Sequence, residues 1–275
     1  MAADPRELWL RRFHPAHALA PEIVCFPHAG GSAAYWHRLS SVLTPQAEVS
    51  AVQYPGRHDR HREVPAADLH TLADEVAEAL GRADRPRILL GHSMGASLAY
   101  EVAVRLAARG HGEPSALIVS GRRAPSRAAP AQDRLSDDAA LVAKVRSLGG
   151  TGADVLRDPD MLELMLPVLR GDYRALAAYT PSRGPVLRCP VLALAGDRDG
   201  EASVEEVRAW RDRTTGEFRL RVFEGGHFFL TEHLDAVADL VRGALPQRPV
   251  RPAPAGGAPA GRSAGQGQQP GQFRP

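Results

Sequence analysis

The chain has 275 residues, 44% of them hydrophobic and 24% charged, enough to bury one sizeable core and too apolar for wholesale disorder. A formal net charge of +2 gives no electrostatic reason to expect nucleic acid, and the longest apolar runs are strand-sized, too short to span a bilayer. No long apolar run follows Met1, so no signal peptide is expected and the cytoplasm is the default compartment.

Taken in order, Trp9–His14 alternates apolar and basic residues, as an edge strand does, and Glu22–Phe26 reads as a buried strand. The strand runs into Pro27-His28-Ala29-Gly30-Gly31-Ser32, whose glycine pair permits close backbone approach. A helix is expected from Ala33 to Leu43, a strand over Val49–Tyr54, and an amphipathic helix carrying Leu69, Leu72, Val76, Ala79 and Leu80. Ile88–Leu90 and Ala116–Ser120 are short buried strands separated by a helix from Gly95 onward. This alternation predicts an α/β fold with a mostly parallel central sheet and helices on both faces. Cys25 and Cys189 fall in or beside such strands and are expected to be small core residues.

The alternation breaks between residues 122 and 185. One helix is expected from Ser136, with Asp137 and Asp138 in its first turn, and another from the Asp158-Pro159 cap, with Pro167 kinking or dividing it. A helical insertion between two sheet strands reads as a lid over the strand ends. The sheet resumes at Val191–Ala195, Ser203 and Glu206 form a capping box, Phe218–Phe223 is the last strand, and a final helix spans about Thr231–Leu245. The domain reading is therefore 1–121 with 186–246 as the core, 122–185 as the helical lid, and 247–275 as a disordered Pro/Gly/Gln/Arg-rich tail.

Gly91-His92-Ser93-Met94-Gly95 lies between a strand and a helix, the context of a nucleophile elbow. The turn is too tight for side chains on either flank, and the serine hydroxyl stands clear at its apex. A serine nucleophile needs a base, and the base needs an orienting acid. In the α/β-hydrolase order the histidine follows the last strand, which selects His227 over His233, a residue of the final helix. Asp197 and Asp199 both qualify as the acid. Asp199, further along its loop, is preferred, and Asp197 is expected to bond its own turn. The oxyanion site should combine the Met94 N–H with one from the loop after Phe26, Ala29 being preferred and His28 the alternative. His28 and His92 are expected to shape the pocket.

Five blocks carry a resemblance: Phe26–Ser32, Tyr54-Pro55-Gly56-Arg57, Gly91–Gly95, Gly196-Asp197-Arg198-Asp199 and Gly225–Leu230. Together they resemble the type II thioesterases, stand-alone α/β-hydrolases associated with polyketide synthases and nonribosomal peptide synthetases. The resemblance runs from about Trp9 to Leu245 and includes Leu166–Tyr173 as the family's lid helix. It implies hydrolysis of stalled short acyl groups from the phosphopantetheine thiol of carrier proteins, with no metal or redox cofactor and a monomeric enzyme. Carrier proteins are acidic, so two arginine clusters, Arg57, Arg60 and Arg62, and Arg122, Arg123 and Arg127, become candidates for docking them. The competing readings are a chain-releasing thioesterase, a small-ester esterase, and a non-catalytic carrier-binding protein.

Overall fold

Strands that are apolar at every position need cover on both faces, and the period of two decides which side chains go where. In a computed structural model, which describes residues 4–66, 68–127, 134–135, 137–149, 157–182 and 186–246, seven strands form one sheet. They are β1 (Leu10–Arg12), β2 (Glu22–Phe26), β3 (Glu48–Val52), β4 (Arg87–His92), β5 (Ala116–Ser120), β6 (Val191–Gly196) and β7 (Phe218–Phe223), in the order β1-β3-β2-β4-β5-β6-β7. Only β1 runs antiparallel, against β3.

One face collects Ile23, Cys25, Ile88, Leu90 and Ile118, covered by α2 (His37–Leu43) and α9 (Leu234–Ala244). The other collects Val24, Phe26, Leu89, Leu117 and Val119 under α3 (Leu69–Leu80) and α4 (Met94–Ala108). This is the α/β-hydrolase arrangement expected from the alternation of strands and helices. Both cysteines are free and buried, and burial alone pushes the Cys25 thiol well above its usual range.

Parallel pairing also places the functional loops. Phe26 lies opposite Gly91, His92 opposite Ser120, and Gly196 opposite Phe223, so β2, β4, β5, β6 and β7 all end at one edge of the sheet. At the opposite edge a buried ion pair joins Glu22 to Arg87 at 2.7 Å, and the same guanidinium donates to the Leu80 and Gly81 carbonyls that end α3.

Between β5 and β6 lie α5 (Asp138–Ser147) and α6 (Pro159–Ala178), with α7 (Val204–Arg208) and α8 (Phe229–Glu232) after β6 and β7. Asp137, not Ser136, caps α5 through the Ala140 N–H; Ser136, Gly150 and the 247–275 tail lie outside the described residues. Pro167 does not divide α6. It and Glu163, whose carbonyl loses a helical donor, are both exposed, where water can replace the missing bond. Trp9 ends a short helix, α1 (Pro5–Trp9), so the edge strand is shorter than its alternation suggested. The expected Ala33–Leu43 helix opens with a 3-10 turn over Ala33–Trp36, and the final helix is broken at His233 into α8 and α9. The Ser203–Glu206 capping box forms as expected. Among the described residues no helix is long and apolar enough to cross a membrane.

Ile88 is fully buried at the centre of the sheet. Ile88→Ala is expected to lower the unfolding free energy by about 2–5 kcal/mol, read as a lower denaturant midpoint at unchanged slope.

Candidate active site

The turn between β4 and α4 is tightly constrained. Ser93 has φ 55° and ψ −121°, a conformation an L-residue holds only when its surroundings enforce it. The enforcement is close packing. A Cβ on Gly91 would overlap the Gly95 carbonyl, and one on Gly95 would overlap the Phe26 carbonyl, so β2, β4 and α4 approach with no room for side chains. The Ser93 N–H donates to the Ser120 carbonyl at 2.8 Å, anchoring the turn to β5.

His227 and Asp199 arrive at this turn on the loops after β7 and β6. The His227 Nε2 is 3.0 Å from Ser93 Oγ, and its Nδ1 is 3.0 Å from each carboxylate oxygen of Asp199. A carboxylate only accepts, so Nδ1 carries the proton and Nε2 faces the hydroxyl as an acceptor. Asp199 is held in turn by the Glu201 N–H at 2.8 Å. Asp197 does not bond its own turn as expected: its carboxylate accepts the Gly225 N–H at 2.8 Å, pinning the histidine loop to the acid loop.

Of the two expected amide donors, Met94 is the first residue of α4, and Ala29 lies on the loop after β2. Neither N–H has a protein acceptor among the described residues. Around Ala29 the loop is held by several bonds: Tyr54 Oη donates to the Pro27 carbonyl, Gly31 N–H to the His28 carbonyl, and Ala33 N–H to Gln53.

Sequence reasoning missed the residue that ties Gly30. Asp172 on α6 accepts the Gly30 N–H at 2.7 Å and pairs with both terminal nitrogens of Arg57 at 2.7 Å. A signal was present: Asp172 falls in the buried stripe of Leu169, Tyr173 and Leu176, where an acid needs a partner.

That finding corrects the docking expectation. Arg57 and Arg60 are buried, Arg60 against Glu63 and over the Trp9 ring; Arg122 and Arg123 are buried as well. Only Arg62 and Arg127 of the two clusters are exposed. With four of the six guanidinium groups withdrawn from the surface, neither triple of arginines forms the continuous basic patch that docking was expected to use.

Ser93 and His227 open into a cavity of about 350 Å³ walled by His28, Tyr35, Met165, Leu169 and Phe228. Both α5 and α6 contribute to this wall, through Val145 and Leu169. A larger hollow of about 450 Å³ beside Arg170 and Asp138 contains none of the three residues. No group of three His, Cys, Asp or Glu side chains able to hold a metal ion occurs among the described residues.

His92 packs on His227 and Phe228, and His28 packs on Tyr35 and Phe228. Loss of hydration holds the His28 imidazole down at about 4, with the nearby His227 adding to the effect. His92 is pushed well below the usual imidazole range by burial, then by His227 and His28. Both are neutral in the folded protein; His28 lines the cavity as expected, whereas His92 is fully buried and is not part of its wall. Folding therefore loses free energy as pH falls from 6.5 towards about 4, because there the unfolded chain binds protons that the folded chain refuses. Thermal midpoints measured across that interval are expected to fall, and His28→Gln is expected to flatten the fall; an unchanged slope would contradict this account.

Comparisons with known proteins place the chain in a family. The thioesterase domain family model matches residues 21–245. The chain is 51% identical over 255 residues to the Streptomyces griseus protein named "Probable cadicidin biosynthesis thioesterase", covering 92% of this chain and 70% of that one. It is 44% identical over 259 residues to thioesterase PikA5 of Streptomyces venezuelae, covering 89% and 90%. Among solved structures it is similar to the type II thioesterase BorB from the borrelidin biosynthetic cluster, with a TM-score of 0.80, 45% identity and coverage of 87% and 98%. The chain belongs to the thioesterase domain family, as a thioester hydrolase of the type II class.

Proposed function

We propose that the enzyme removes stalled or wrongly primed short acyl groups from the phosphopantetheine thiol of acyl or peptidyl carrier proteins in a polyketide or nonribosomal peptide pathway. Ser93 is the nucleophile, His227 the general base and acid, and Asp199 the group that orients it. The single observation carrying this reading is the His227 imidazole, held between the Ser93 hydroxyl and the Asp199 carboxylate.

The chemistry follows from those contacts. Nε2 of His227 takes the hydroxyl proton as Ser93 Oγ attacks the thioester carbonyl carbon. The carbonyl oxygen becomes an oxyanion facing the Met94 and Ala29 amides, at the positive end of α4. The C–S bond then breaks, and the thiol leaves with the proton from His227. A thiol has a pKa of about 8.5, so its departure asks little of the acid. Water, deprotonated by His227, attacks the acyl-serine; the acid product departs and Ser93 regains its proton. Every atom and proton balances with serine, histidine and water, so the mechanism calls on no metal or redox cofactor. The pantetheine belongs to the substrate. The helices of 122–185 act as the lid, with Met165 and Leu169 offering apolar contact to the acyl chain.

Ser93→Ala is expected to lower kcat on acetyl-carrier protein by about 10⁴-fold or more while the circular dichroism spectrum is unchanged. The substrate assignment is tested by steady-state hydrolysis of acetyl-, propionyl- and longer acyl-carrier proteins beside the matching small thioesters and p-nitrophenyl esters. Preference for short acyl groups on the carrier is expected. Equal or better turnover of free esters would leave a general esterase with the same three residues.

A further inference from the structure

Two peptide groups of the loop after β2 decide where the Ala29 N–H points, and α6 holds one of them. The Ala29–Gly30 peptide is clamped at both ends: its carbonyl accepts from His28 Nδ1 at 2.9 Å, and its N–H donates to Asp172 Oδ2 at 2.7 Å. The preceding peptide, which carries the Ala29 N–H, is fixed by its own carbonyl, bonded to the Gly31 N–H at 2.9 Å. Gly30 sits at φ 76°, where glycine turns freely and the loop depends on external bonds for its shape.

Asp172 lies 142 residues away in sequence and is 1% exposed. A carboxylate so buried requires a counter-charge, and Arg57 supplies it with two parallel bonds. The same guanidinium donates to the Gly31 carbonyl at 3.2 Å and to the Pro55 carbonyl at 3.3 Å. Arg57 and Asp172 thus grip the loop on either side of the Gly30–Gly31 peptide. Leu169, one turn earlier on α6, packs so closely on Gly30 that a Cβ there would overlap its side chain.

Resting on the oxyanion role proposed above for Ala29, we propose that Asp172 and Arg57 are positioning residues, which aim the Ala29 N–H at the oxyanion and couple the seating of α6 to transition-state stabilisation. Neither touches the substrate. Their effect passes through the loop, so it reads in kcat and in the affinity for a tetrahedral adduct, not in ground-state binding.

The experiment compares the parent, Asp172→Asn and the double variant Arg57→Met/Asp172→Leu in four measurements. These are thermal midpoint, kcat and KM on acetyl-carrier protein, affinity for an alkylboronic acid that forms a tetrahedral adduct with serine, and the Gly30 amide proton shift. Asp172→Asn leaves a buried guanidinium without its counter-charge and is expected to lower the midpoint; the apolar pair is expected to restore it. In the double variant kcat is expected to stay about 10- to 100-fold below the parent, with KM little changed and boronate affinity reduced by a similar factor. A double variant with the parent's midpoint, kcat and boronate affinity would overturn the proposal. Should it not fold, Asp172→Asn decides: an upfield Gly30 amide with lowered kcat supports the role, and unchanged kcat removes it. Failure of the functional reading is seen separately, as a Ser93→Ala enzyme that still turns over.

Discussion

The site depends on one steric constraint: three backbone segments meet at the elbow with no side chain between them. Gly91 packs on the Gly95 carbonyl and Gly95 on the Phe26 carbonyl. This contact holds Ser93 at positive φ, brings the N-terminus of α4 beside the serine, and sets the start of the loop after Phe26 against the elbow. A larger residue at either glycine would push β2 away from α4 and separate the two free amides. The strain at Ser93 is offset by burial on both faces of the sheet, where Ile88, Leu90 and Leu89 fix the strand that feeds the turn.

Around that point the electrostatics are arranged by exclusion of water. His92 lies within ring contact of both His28 and His227, yet burial keeps His28 and His92 neutral. In the proposed mechanism the positive charge that forms on His227 then faces a single carboxylate, Asp199, with no competing cation among its ring neighbours. Asp197 serves the same end from outside the reaction, since its bond to Gly225 holds the two loops in register.

The arginines illustrate how far charge can be turned inward. Arg57 neutralises Asp172, Arg87 neutralises Glu22 and ends α3, and Arg105 meets Glu101, which also accepts from Tyr179 and Ser182. Each guanidinium uses its planar set of donors to satisfy several buried acceptors at once, which a lysine could not do. A basic residue count therefore says little about surface potential in this chain.

The strands, their order of appearance, the elbow, and His227 with the two residues it joins, Ser93 and Asp199, were legible in the sequence. Each depends on local signals: apolar runs bounded by turns, glycines flanking a serine, and loops that must follow strands. Limits of local reading appear where they should, in Pro167, which an exposed helix face tolerates, and in His233, which breaks the last helix. The fate of the arginines and the role of Asp172 were decided only by tertiary structure. Arg57 and Asp172 lie 115 residues apart, and nothing near either announces the other. Periodicity reports which face of an element is buried; which charge waits on the opposing element is a property of the packed chain alone.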